Sequence, residues 1–238
     1  MYLILGGSRG IGAALAAKLR GQGERVVIAA RGKSDLEACA AELDCDWQVC
    51  DARSFEEVER LLAGYSELKG VACCAGSILL KPAHLTSESE LGQLWEQNLK
   101  SAFAVVRASG KKLRSASVLL FSSAAARLGL PNHEAIAACK GAVEALVRSA
   151  AATYCARELR FNAIAPGLVR TSLSAPIINR PAALEASAAL HPLGRIGEAG
   201  EVAELGRWLL SPDSSWVTGQ VFGLDGGLSS LKVRAGGA

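Results

Sequence analysis

Short apolar runs alternate with amphipathic stretches along the whole chain, and this alternation constrains the fold more than any other feature. The runs are Tyr2–Leu5, Arg25–Ala30, Asp46–Cys50, Gly70–Cys74, Ala116–Phe121, Arg160–Ala165 and Gln220–Leu224. Between them, apolar residues recur at helical spacing in Ile11–Gly21, Ser34–Leu43, Ser54–Gly64, Leu91–Leu113, Ala135–Arg157 and Glu198–Leu209. Strands that are apolar at nearly every position are covered on both faces, and strands joined through helices run parallel. Right-handed crossovers then place helices on both faces of one sheet. The predicted class is α/β, with a doubly wound, seven-stranded parallel sheet in a single domain spanning 1–238. Half the residues are apolar and 21% are charged, enough for a sizeable core under a solvated skin.

Charge and cysteine usage exclude several functions. The formal net charge is only +3, and basic residues never run together as they do in a nucleic-acid footprint. No apolar run reaches the roughly 18 residues of a membrane span. The first strand begins at Tyr2, so no signal peptide is expected and the predicted location is cytoplasmic. The 7 cysteines (39, 45, 50, 73, 74, 139 and 155) form no C-x-x-C pair and no zinc spacing with histidine. They are read as small apolar side chains in a reducing compartment. Residues 172–191 break the alternation with Pro176, Pro181 and an Ala-rich piece after a strand end, and are read as a substrate flap.

Gly6-Gly7-Ser8-Arg9-Gly10-Ile11-Gly12 joins the first strand to the first helix. In that position Gly6 permits a tight turn, Gly10 lets backbone approach a pyrophosphate, and Gly12 allows close helix–sheet packing. The helix N-terminus offers N–H groups and a positive dipole end to phosphates. This is the phosphate turn of a Rossmann fold binding a dinucleotide.

The G-x-x-x-G-x-G spacing resembles the short-chain dehydrogenase/reductase family. The resemblance continues through Cys73-Cys74-Ala75-Gly76, Asn98, Ser122-Ser123, Lys140, Asn162 to Gly167, Pro192 to Arg195, and Thr218 to Gly227. It implies cofactor contacts from Gly6, Ser8, Arg9, Gly10, Ile11, Gly12, Arg31, Asp51, Ala52, Cys74, Ala75, Gly76, Lys140, Pro166, Gly167, Val169 and Thr171. Dinucleotide binders selective for NAD place an acid at the end of the second strand. Here that position is Ala30, followed by Arg31, and Arg9 lies in the turn. Two guanidiniums suit a 2′-phosphate, so the expected cofactor is NADP(H). Asp51 matches the family's adenine-contacting acid, and alternatively caps the helix that follows.

The resemblance implies a catalytic set of Asn, Ser, Tyr and Lys. Asn98, Ser123 and Lys140 are present. Counting four residues before Lys140 and thirteen after Ser123 both lead to Ile136, so the tyrosine is missing. Loss of a general acid costs about 10²–10⁴ in rate. Tyr2, Tyr65 and Tyr154 are not substitutes. Cys73-Cys74 also replaces the family's paired asparagines. His133, seven residues before Lys140, is a candidate replacement donor, since the family's enoyl reductases place their tyrosine at that spacing. The alternative is a loop histidine capping the next helix.

The expected function is an NADP(H)-dependent oxidoreductase with an atypical active site, reducing a C=C or C=O bond of a small apolar substrate. The alternative is an inactive NADP(H)-binding sensor or scaffold. Leu79, Leu80, Leu173 and Ile178 suggest an apolar pocket. The partners expected are a small-molecule substrate and further copies of the chain, as the resemblance implies a homotetramer and a homodimer is also compatible. Neither nucleic acid nor membrane is an expected partner.

Overall fold

The computed structural model describes residues 1–232. Its main sheet has seven parallel strands in the order β3-β2-β1-β4-β5-β6-β9. They are β1 (Tyr2–Leu5), β2 (Val26–Ala30), β3 (Asp46–Val49), β4 (Gly70–Cys73), β5 (Ser117–Phe121), β6 (Arg160–Pro166) and β9 (Val221–Leu224). A separate pair, β7 (Val169–Arg170) with β8 (Gly197–Glu198), was not expected. The helices are α1 (Gly10–Arg20), α2 (Lys33–Leu43), α3 (Phe55–Ala63), α4 (Glu88–Trp95), α5 (Ser101–Lys112), α6 (Glu134–Tyr154), α7 (Ala175–Ile178), α8 (Pro181–Leu190) and α9 (Ala199–Leu210). Among the described residues no helix is long and apolar enough to cross a membrane.

Strand periodicity divides the core in two. Leu3, Leu5, Val27, Ala29, Val71 and Cys73 face α3, α5 and α6. Tyr2, Ile4, Val26, Ile28 and Ala72 face α1, α2 and α9. Alternate residues pointing to opposite faces make both sides of each central strand apolar. The expectation fails at β3, where Asp46, Gln48 and Val49 are exposed, because an edge strand lacks a covering neighbour.

The predicted helix Leu91–Leu113 starts a turn earlier. Ser87 and Glu90 form a reciprocal capping box at its N-terminus. A π-helical turn, Glu96–Lys100, then joins α4 to α5. In residues 172–191, α7 and α8 bury no residue. The segment is tied at both ends: Ser174 Oγ donates to the Val169 carbonyl at 2.6 Å, and His191 Nε2 accepts the Leu168 N–H at 3.2 Å. His191 Nδ1 lies 2.7 Å from the Ser187 carbonyl, which only accepts, so this ring is held as the neutral Nδ1–H tautomer.

Gly12 touches the turn that precedes it. A Cβ there would stand 2.2 Å from the Gly6 carbonyl oxygen. Gly92, in the exposed interior of α4, would meet nothing within 4 Å. Gly12→Val is therefore expected to destabilise the fold by at least about 2 kcal/mol. Gly92→Ala should stabilise it by roughly 0.5–1 kcal/mol. Urea unfolding of the two variants beside the unaltered chain checks both.

Candidate nucleotide site and active site

The strand order reverses between β1 and β4, and a cavity of roughly 750 Å³ opens at the carboxyl ends of the strands there. The glycine turn supplies Gly6, Ser8, Arg9, Gly10, Ile11 and Gly12 to its wall. The end of β2 adds Ala30, Arg31 and Gly32, the first turn of α2 adds Asp35, and the end of β3 adds Cys50 through Arg53. Cys74, Ala75, Gly76, Gln97, Ser101 and Thr171 through Leu173 complete it. The α1 N-terminus has no side-chain cap and no acid in its first turn. Its first N–H groups therefore have no helical partner and suit an anion.

The charges along the wall are mostly paired. Arg9 is ion-paired with Asp35. Asp51 accepts from Arg53 Nη2 at 2.6 Å, and Arg53 also lies 3.7 Å from Glu96. The Arg53 hydrogen bonds hold the Asp51 carboxyl below its ordinary range. Asp51 does not cap α3; Ser54 does, accepting the Glu57 N–H. Arg31 alone among the cavity's arginines makes no ion pair or hydrogen bond among the described residues.

The end of β4 is braced from the π-helical turn. Asn98 Oδ1 accepts the Ser77 N–H at 3.3 Å, and Nδ2 donates to the carbonyls of Ser77 at 3.2 Å and Leu94 at 3.0 Å. These bonds engage both ends of the buried amide and fix the backbone beside Gly76. A Cβ on Gly76 would lie 2.9 Å from Asn98 Oδ1 and 3.7 Å from Lys140 Nζ. Lys140 is buried, and its Nζ donates to the Phe121 carbonyl at 3.0 Å. Burial pulls its pKa down to about 8, opposed by the neighbouring thiols of Cys73, Cys139 and Cys74. Burial raises all three thiols. All seven cysteines are free.

Ser123 follows β5 and accepts the Ala125 N–H at 3.2 Å. Ser122 and Arg127, which bracket its turn, are clamped by one carboxylate. Glu144 Oε1 accepts from Ser122 Oγ at 2.9 Å and Arg127 Nε at 3.0 Å. Ile136 is buried with Leu94, Ala135 and Cys139, and Leu79 packs on this cluster. His133 stands at the N-cap position of α6 without capping it. Its Nδ1 lies 2.7 Å from the Pro131 carbonyl and must carry the proton.

Not every expected site residue gathers at the cavity. Ser123, Asn98, Lys140 and His133 do not line it, although Asn98 and Lys140 adjoin its Gly76 wall. Pro166 ends β6, while Gly167 and Val169 line a separate space of about 90 Å³ with His191. Of the proposed apolar pocket, Leu173 lines the large cavity, Leu79 packs on the Ile136 cluster, and Leu80 is exposed. Tyr2, Tyr65 and Tyr154 lie away from the cavity. Asp35, Arg53, Gln97 and Ser101 were not foreseen. Ser101 had a signal, since it follows Asn98 by three residues on one helical face.

Residues 6–229 match the family model described as enoyl-(acyl carrier protein) reductase. A tropinone reductase homologue of Arabidopsis thaliana is 32% identical over 240 residues, covering 95% of this chain and 91% of that protein. A short-chain type dehydrogenase/reductase from Mycobacterium ulcerans superposes with a TM-score of 0.91 at 30% identity, over 96% of this chain and 89% of that one. An actinorhodin polyketide ketoreductase variant solved with NADPH shares the fold at a TM-score of 0.90 and 24% identity, over 97% of each chain. The chain belongs to the short-chain dehydrogenase/reductase family of oxidoreductases, which bind nicotinamide cofactors.

Proposed function

We propose that this protein is an NADP(H)-dependent oxidoreductase acting on a C=C or C=O bond of a small apolar substrate, with Ile136 where the family resemblance puts a tyrosine. The observation that carries the cofactor reading is Arg31, a cation without an ion pair among the described residues that lines the same cavity as the uncapped α1 N-terminus. Arg31 and Arg9 would hold a 2′-phosphate, the α1 N-terminus the pyrophosphate, and Asp51 with Ala52 the adenine end. Backbone at Cys74, Ala75 and Gly76 would line the path to the nicotinamide, and Lys140 would hold its ribose. Pro166, Gly167, Val169 and Thr171 would lie along the far side. When bound, the cofactor supplies or accepts the hydride.

The substrate side follows from Ile136. Its side chain exchanges no proton and is buried with Leu94, Ala135 and Cys139, with Leu79 packed on them. Reduction of an activated alkene suits a site without that proton donor, because hydride adds first and water can protonate the resulting enolate. Ser123 and Lys140 would hold the developing negative charge on oxygen. His133 would donate only as an imidazolium, since its Nδ1–H is committed to Pro131. One observation favours a second reading, cofactor binding without turnover: the Ser123 hydroxyl caps its own turn while Ile136 is dry.

Three outcomes are expected. Arg31→Ala should raise the Kd for NADPH about 10- to 100-fold and leave NADH within about twofold, read by nucleotide fluorescence. A screen of NADPH oxidation with carbonyls and enoyl thioesters separates the readings. Turnover of an enoyl thioester that His133→Ala abolishes supports C=C reduction through His133. A wild-type chain inert toward both classes, with carbonyl reduction gained by about 10²-fold or more in Ile136→Tyr, supports binding without turnover.

The third outcome concerns Lys140. Its native pKa of about 8 is below the ordinary 10.5, so the folded chain releases this proton first. Stability then rises with pH between about 8 and 10.5 and is lower below 8, where the buried ammonium persists. Lys140→Met should therefore be more stable than wild type at pH 7, by at most about 3 kcal/mol. That advantage should shrink across the window in pH-dependent thermal unfolding.

A further inference from the structure

Asp35 stands in the first turn of α2 and lines the large cavity with Arg9 and Arg31. Its carboxylate is ion-paired with Arg9, 26 residues earlier in the chain. The same oxygen, Oδ2, folds back to within 3.1 Å of where a Cβ on Gly32 would stand. Gly32 is the N-cap of α2, and no side chain caps that end. The carboxylate is thus an anion lodged between a guanidinium and the start of a helix, a combination that also suits a phosphate.

We propose that Asp35 is an internal competitor for the 2′-phosphate: it shares Arg9 with that phosphate and sets how far the cavity favours the phosphorylated dinucleotide. This rests on the reading of the cavity as an NADP(H) site. Two physical points support the competition. The side chains of Arg9 and Asp35 are 61% and 36% exposed, and ion pairs so solvated are weak, so Arg9 exchanges partners easily. A phosphate arriving at Arg9 also meets a like charge on Asp35, whereas an unphosphorylated ribose does not. Arg31, which makes no ion pair or hydrogen bond among the described residues, supplies attraction that is not tied up by Asp35. Asp35 therefore lowers selectivity without abolishing it.

The test is the Kd of NADPH and of NADH for wild type, Asp35→Asn, Arg9→Ala and the double variant, at low ionic strength. Asp35→Ser serves as a second charge-removing change, and thermal unfolding confirms that each variant folds. Asp35→Asn is expected to tighten NADPH about three- to tenfold and to move NADH by less than about twofold. In the Arg9→Ala background the gain should fall below about twofold, because the shared cation is gone. An absent gain, an equal gain for NADH, or an undiminished gain without Arg9 overturns the proposal. Selective weakening of NADH by Asp35→Asn also overturns it, assigning the carboxylate to a ribose hydroxyl. If wild type fails to bind NADPH, the NADP(H) reading falls, and this inference with it.

Discussion

The glycine turn can lie against the sheet only because side chains are absent at Gly6, Gly7 and Gly12. A Cβ on Gly12 would enter the Gly6 carbonyl, and one on Gly6, whose φ is +78°, would come within 2.6 Å of the Ala75 nitrogen. These close approaches bring the start of α1 against both its own strand and the neighbouring β4. Because β1 lies between β2 and β4, the connections that leave β1 and β4 run to opposite faces of the sheet and a crevice remains at their carboxyl ends. The cavity is a consequence of strand order, and its floor is backbone because glycine leaves it bare.

The region around Asn98, Lys140 and Ser123 rests on a different constraint, the burial of polar groups that must be paired. Asn98 reaches Ser77 from a π-helical turn, an irregularity that shifts a helical side chain out of ordinary phase. Lys140 is buried among thiols and carbonyl oxygen, with the Phe121 carbonyl as its hydrogen-bond partner. Glu144 holds Ser122 and Arg127, the residues that bracket the Ser123 turn. These bonds fix the backbone beside Gly76, the Lys140 ammonium and the Ser123 turn, while Ile136 packs with Leu94, Ala135 and Cys139.

At the nucleotide end, charge is arranged in opposed pairs. Arg9 faces Asp35 and Arg53 faces Asp51, which leaves Arg31 as the cavity's unpaired guanidinium among the described residues. A mild formal charge of +3 says nothing of this arrangement. What matters for a phosphate is the local field of a few side chains in a concave wall.

The sequence alone was sufficient for the seven main strands, the two-faced core and the glycine turn. Apolar runs broken by glycines and helical periods are local signals, and local signals survive without coordinates. The edge character of β3 was missed because it depends on which strand lacks a neighbour. The two-residue pair β7 and β8 was missed because it is too short to have a pattern. Ile136 was legible by counting, but its burial with Leu94 and Leu79 needed α4 and the loop after β4 to be placed. Asp35 was illegible for the same reason: its partner Arg9 is distant in the chain and adjacent only after α2 docks beside the turn. Local pattern settles which elements form and where backbone must be bare, whereas the partner of each charge and the surroundings of each site residue are nonlocal contacts, which exist only once the chain has closed on itself.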